Sequence, residues 1–428
     1  MPDAHPPAPH GHSHGGHDLA IASYMRVVVA VIAVATVIGL VLLWPRGEAP
    51  DLAASTSGID LVDATITGID TQDCVDPLEG APTQCRVVSV DLTSGPTAGE
   101  PGTFLSSLID FSQPEFEVGE KVVLSYNELA PPEFQYSFAE YQRRSPLVLL
   151  ALVFAAVVIG FGRWKGVRAL AGLAVSLAVL LVFMLPSILR ANNAIAVALV
   201  ATSAIAFAAL YLAHGVSPFT TVALVGTLLS VVFITFVAWL AAGAASLTGL
   251  SDGSLQILRV TAEAVDPRAI LIAGIVVGAL GVLDDVTVTQ VSAVAELRDA
   301  NPGMTRRQVY GAAIRIGRDH ITSTVNTLVL AYAGASMALL LYFFQEGRSI
   351  GQVLNREVVA VEVIRTLVGS IGLVLSVPIT TALAVAISQP AGTSHPSREE
   401  RRHPTPVERS APSPASWDDF GPVGNDVR

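Results

Sequence analysis

Two adjacent carboxylates, Asp284 and Asp285, stand in the stretch GIVVGALGVLDDVTVTQVSAVAELR, Gly274 to Arg298, whose other residues have the apolar composition of a membrane span. A charged aspartate at the centre of a bilayer helix costs about 2.5 to 3.5 kcal/mol on insertion scales, so such a residue points to work that offsets the cost, above all taking up and releasing a proton. The next apolar stretch, DHITSTVNTLVLAYAG, is dense in polar partners: His320, Thr322, Ser323, Thr324, Asn326 and Thr327 follow one another. A carboxyl ringed by hydroxyls and an amide keeps hydrogen bonds in either protonation state. The residues expected to carry a proton or a transported species are therefore Asp284, Asp285, Thr287, Thr289, His320, Ser323, Thr324, Asn326 and Thr327. Asp285 is expected to be the group that titrates and drives a conformational change, with Asp284 the milder of the two.

Helical geometry supplies the reason for ranking Asp285 first. At 3.6 residues per turn, Gly274, Gly278, Gly281, Asp285 and Ser292 fall on one narrow stripe with Thr289 beside it, and Asp284 points about 100° away. A stripe of glycines lets a neighbouring backbone approach closely, which would aim Asp285 at a partner helix. The two helices are expected to join through a short cytoplasmic hairpin, with the aspartates about 4 to 5 residues, roughly 7 Å, above its base and level with the polar cluster.

Composition demands a membrane for these elements. The chain has 428 residues, 51% hydrophobic and only 14% charged, with a mean hydropathy of +0.56. Soluble domains carry about 25% charged residues. Several nearly uncharged runs are long enough to cross a hydrocarbon core of about 30 Å. The expected fold is an α-helical polytopic membrane protein of about eight transmembrane helices, with a small extracytoplasmic β-domain, OB-like or another small barrel, inserted after the first.

Residues 1–24 hold five of the nine histidines among Pro and Gly and read as a disordered cytoplasmic tail. His10, His12, His14 and His17 could hold a transition metal weakly, although a solvated low-complexity tail explains the composition as well. Residues 25–45 read as an uncleaved signal anchor, its apolar run longer than a signal peptide's. Residues 51–145 contain 16 acidic against 4 basic residues, a net of −12 that more than accounts for the chain's −11. Short alternating runs there (GIDLVDATITGID, CRVVSVDLT, EKVVLSYN) predict about five strands. Cys74 and Cys85 flank a Pro- and Gly-containing loop, and a disulfide between them would agree with an oxidising outer compartment; two free cysteines are the alternative.

Residues 146–388 are expected to hold seven spans, near 147–162, 169–189, 194–213, 219–242, 269–289, 321–344 and 359–387. Lys and Arg in the loops favour the side of the N-terminus by eight to five, and the basic C-terminal tail adds to this, so both termini are placed in the cytoplasm. The segment SDGSLQILRVTAEAVDPRA suggests a short helix lying on the outer surface. TRRQVYGAAIRIGRD, with Thr305 and Gln308 at capping-box spacing and Val309, Ala313 and Ile316 on one stripe, suggests a basic amphipathic helix on the cytoplasmic face. Glu362 and Arg365, one turn apart, read as an ion pair. Residues 389–428, rich in Pro, Ser and Arg, are expected to be disordered.

GALGVLDDVTVTQVSAVAELR followed by RIGRDHITSTVNTLVLAYAG resembles the signature of the YibE/F family of bacterial multi-pass membrane proteins, over about Pro146 to Ser388. The resemblance implies an architecture and a bacterial plasma-membrane location rather than a mechanism. More distantly, the order of parts resembles the SecF-like half of the RND exporters, in which such aspartates carry protons; the present chain has two further spans.

Three functions compete. A transporter or exporter component driven by an intramembrane aspartate is favoured, with an unknown substrate, the lipid bilayer as its medium, and the outer domain engaging substrate or another membrane or cell-surface protein. A scaffold whose polar cluster only locks helices together is the alternative, at about 0.6 kcal/mol per hydrogen bond. Neighbouring carboxylates on one helix diverge rather than face each other, and no HExxH occurs, so no enzyme activity, cofactor or nucleic-acid partner is expected.

Overall fold

The computed structural model describes residues 23–47, 59–75, 82–107, 114–251, 253, 256, 264–347 and 349–388. The two tails, with their histidines, and most of the expected outer surface helix lie outside these residues.

Helix α1 (Ser23–Leu42) leads to five strands, β1 (Ile59–Val75), β2 (Pro82–Leu92), β3 (Pro101–Ser107), β4 (Lys121–Asn127) and β5 (Tyr136–Tyr141). They form one antiparallel sheet in the order β3-β2-β1-β4-β5. Alternation along the strands places Val62, Ala64, Ile66, Val88, Val90, Phe104, Val122 and Leu124 on one buried face. The long β1 serves two neighbours, pairing β4 through its first half and β2 through its second, with a register shift between Ile66 and Gly68. The expected barrel does not form. The edge strands β3 and β5 approach through the rings of Phe104 and Phe138, 6.4 Å apart, but no ladder joins them, so the curled sheet stays open.

The remainder is helical: α2 (Arg144–Ala178), a π-helical turn Val179–Met184 running into α3 (Leu185–Leu189), α4 (Ala194–His214), α5 (Pro218–Ala244), α6 (Pro267–Ala300), α7 (Arg306–Ala335), α8 (Met337–Gln345), α9 (Ile350–Leu354) and α10 (Glu357–Ile387). Among the described residues five helices are long and apolar enough to cross a membrane, or six when α7 and α8, bent by 63° at their junction, count as one span. That is fewer than the eight expected, for two physical reasons. The apolar run Val27–Leu42 of α1 is shorter than the rest, and the spans expected near 147–162 and 169–189 belong to one 46-residue run, Arg144–Leu189. Within that run the backbone leaves the helical region at Arg163 (φ 51°, ψ −130°). A Cβ at Gly166 would overlap the carbonyl of Val158, although eight residues of straight helix span about 12 Å, so the chain doubles back there.

α5 is the centre of the bundle. It is apolar on every side, and its buried residues run around the whole helix from Thr220 to Ala242, as expected of a span enclosed by protein. It packs against α4, α6 and α10. α1 docks on α4, where a Cβ at Gly39 would meet Val200, and Ser187 and Asn192 donate to the free carbonyl of Leu43 past its last turn.

The basic amphipathic segment is not a separate surface helix. Thr305 and Gln308 form the capping box as expected, but α7 then runs unbroken through Arg315, Arg318 and His320 into the polar span. Its buried stripe is Val309, Ala312, Ala313 and Gly317; Ile316 is exposed. α6 is likewise longer than its span and ends only at Ala300. The aspartates therefore sit about 22 Å from the α6–α7 turn, near mid-helix, rather than roughly 7 Å above its base.

Candidate functional site

The two aspartates face different surroundings. Asp284 points toward α5, where Thr227 is the hydroxyl beside its carboxyl. One turn on, Thr287 is completely buried; its hydroxyl lies 2.7 Å from that of Thr227 and 3.2 Å from the Asp284 carbonyl. The Asp284 Oδ1 atom is buried with no hydrogen-bond partner among the described residues. This arrangement costs free energy, about 1 to 3 kcal/mol for an unsatisfied buried polar group.

Below this group the polar layer continues across three helices. Gln290 on α6 donates to the Ala313 carbonyl of α7 at 2.9 Å and to the Thr381 hydroxyl of α10 at 2.8 Å. Glycines make the room: a Cβ at Gly317 would lie 2.6 Å from Gln290 Oε1 and 2.7 Å from Val377, and one at Gly226 would lie 2.5 Å from the Thr380 hydroxyl. Thr380 Oγ1 is buried and unpartnered as well. Asp284, Thr227 and Thr287 thus form a hydroxyl-lined group between α5 and α6, and Thr380 of α10 lies against Gly226, the residue before Thr227. Such a group can hold a proton or pass it on.

Asp285 is on the other side, and the expectation that the glycine stripe aims it into the protein is overturned. Its side chain is 75% exposed and its nearest partner is His320 Nε2 at 4.0 Å, an ion-pair distance rather than a hydrogen bond. Nothing lies within 4 Å of a Cβ built on Gly274 or Gly281, and at Gly278 only the Tyr332 hydroxyl comes near, at 3.3 Å. Thr289 and Ser292 are exposed too. The stripe is open because glycine removes side chains without bringing a neighbour to replace them. On α7 the expected partners turn inward on their own helix. Thr322, Thr324 and Thr327 donate to the carbonyls of Arg318, His320 and Ser323, and Ser323 and Asn326 are exposed. None of them meets Asp284.

Of the other expected residues, Glu362 and Arg365 pair at 2.7 Å. Cys85 is disulfide-bonded. On the backbone Cys74 lies on β1 opposite Thr83, beside Cys85 opposite Gln72; its side chain is outside the described ones. Thr227, Gln290 and Thr381 were not singled out in the sequence. Their signal was present: α5 carries Thr220, Thr221, Thr227, Ser230 and Thr235 with Gly226 in an otherwise apolar span, a pattern of small polar residues at helix contacts.

The family model for "YibE/F-like protein" matches residues 150–390, more than half of the chain, including α4 to α10 and hence every residue of the polar layer. No curated protein and no solved structure gives a match.

Proposed function

We propose that this chain, which belongs to the YibE/F-like family, is a proton-coupled transporter or exporter component of the bacterial plasma membrane, with Asp284 as the coupling carboxyl. The observation that carries this reading is the Asp284 carboxyl at mid-helix, one oxygen buried and unpartnered, beside the neutral Thr227 hydroxyl of a neighbouring helix and the Thr287 hydroxyl of its own. A carboxyl placed so holds its helices differently when neutral and when ionised, because only the neutral form can donate a hydrogen bond. Counting α1, both arms of the Arg144–Leu189 run and the bent α7–α8 pair as crossings makes eight, an even number that leaves both termini on one side; the loop charges favour the cytoplasm for that side. The acidic sheet then lies outside, where it engages a substrate or another surface protein. No catalytic step and no cofactor are assigned.

A second reading, a scaffold held together by its polar layer, draws on the Gln290 bridge across α6, α7 and α10. Hydrogen–deuterium exchange of the reconstituted full chain separates the two. With intrinsic rates corrected between about pH 5 and pH 8, protection in α5 and α10 should change with pH in the wild type and in Asp285→Asn, and stay constant in Asp284→Asn. A pH response retained in Asp284→Asn would overturn the coupling role.

A further inference from the structure

We infer that the cavity of about 320 Å³ enclosed by the end of α4, the start of α5 and the last turns of α6 is the vestibule through which protons pass between water and Asp284. The inference rests on Asp284 being a titrating group, as proposed above. The cavity's polar lining is His214, Ser217, Thr220, Ser292, Glu296 and Asp299. Glu296 and Asp299 give its mouth an acidic field, which concentrates cations, hydronium included. Hydroxyls of Ser217, Thr220 and Ser292 continue inward, and the volume has room for several water molecules.

Helix geometry aligns this cavity with the buried carboxyl. On α6 the lining spans two stripes: Val288, Val291 and Ala295 follow Asp284 at i+4, i+7 and i+11, while Ser292, Glu296 and Asp299 follow Asp285 at i+7, i+11 and i+14, so the lining of α5 is what turns the inner end toward Asp284. On α5, Thr220 and Ala223 line it, and Thr227 follows them at i+7 and i+4. The innermost lining residues, Ala223 and Val288, are therefore one turn, about 5.4 Å, from the Thr227–Asp284 pair. Ala223 is buried and Val288 packs against the clusters on both sides, so the two close the inner end as a thin apolar gate.

The chemistry is a reversible transfer: the Asp284 carboxylic acid loses a proton to water in the vestibule and becomes a carboxylate, and the reverse step restores it. Few other ionisable groups compete. α5 brings none; α10 brings Glu362, already paired with Arg365, and Glu357 at its first turn, which accepts from the Thr248 and Gly249 backbone; α4 brings Tyr211, whose hydroxyl lies 3.4 Å from that of Thr221, and His214 at the mouth. On α7, His320 faces Asp285, and on α2, Arg168 donates to the Leu212 carbonyl near the mouth. The cavity is at the end of the bundle expected to face the cytoplasm, which makes it the inner access of the pair that alternating access requires.

Time-resolved infrared spectroscopy on the reconstituted full chain tests this, with the Asp284 carboxyl band defined as the one missing in Asp284→Asn. After a pH jump, filling the vestibule with Ser292→Phe, or with Ala295→Phe should the first fail to fold, should slow the band's response at least tenfold without changing its final amplitude. Ala293→Phe, on the same turn but outside the cavity, should leave the rate unchanged, and Val288→Ala should raise it severalfold. Wild-type rates in the filled variants, or an equal slowing in Ala293→Phe, would overturn the vestibule and leave the role of Asp284 standing. A wild-type band that never responds to pH would instead overturn the role of Asp284 itself.

Discussion

Asp284 and Asp285 share a helix and a depth, yet one face of α6 is packed between α5 and α10 and the other is nearly bare. On the packed face polar groups are fitted to a neighbour or withheld from one: Thr287 to Thr227, Gln290 to Thr381, and Asp284 Oδ1 and Thr380 Oγ1 left without a partner among the described residues. On the bare face Asp285 has His320 as its ion-pair partner among the described residues, at 4.0 Å. The contrast shows that an ionisable residue in a span gains its meaning from the neighbouring helices. Its position in the sequence alone supplies only the cost.

The contrast can be broken most forcefully on the packed face. Gly317→Leu must displace both Gln290 and Val377, and should cost about 3 kcal/mol or prevent folding, seen as a lower Tm of the purified protein in detergent. A smaller change of opposite sign should follow from Asp284→Leu. It removes a buried oxygen without a partner and should stabilise the protein by about 1 to 2 kcal/mol while abolishing its pH response. Equal or lower stability for this variant would show that the carboxyl is satisfied where it sits. Thr227→Val, which deletes one interhelical hydroxyl pair, should cost about 0.6 kcal/mol by the same melting assay. The bare face gives the smallest effect: Gly281→Ala, with nothing near its new Cβ, should change stability by less than about 0.5 kcal/mol. A large loss there would reveal a partner, such as a second copy of the chain, seated on the stripe.

Much of this organisation was legible in the sequence because it depends on local composition. The apolar runs gave the helices, the alternation in GIDLVDATITGID and CRVVSVDLT gave the strands, and the insertion cost marked the aspartates. What was hidden depends on partners distant in the chain. Closure of a barrel would need a ladder between β3 and β5, and strand patterns do not encode whether two edges meet at hydrogen-bonding distance. The glycine stripe was read as a contact face, but glycine permits a close approach without supplying the approaching helix. The continuity of α7 was obscured by its change from basic amphipathic to polar apolar composition near His320, although no proline interrupts it. The buried threonines of α5 were dispersed in an apolar run, and only α6 and α10 packing against them makes a layer.

On the proposed reading Asp284, and not the exposed Asp285, is the buried carboxyl whose protonation is coupled to the helix packing. The most direct measurement is the equilibrium infrared difference spectrum of the reconstituted full chain between about pH 4 and about pH 9, recorded for the wild type and both asparagine variants. A buried-carboxyl band should persist in Asp285→Asn and be absent in Asp284→Asn. A band that survives Asp284→Asn and disappears in Asp285→Asn would contradict the proposed reading.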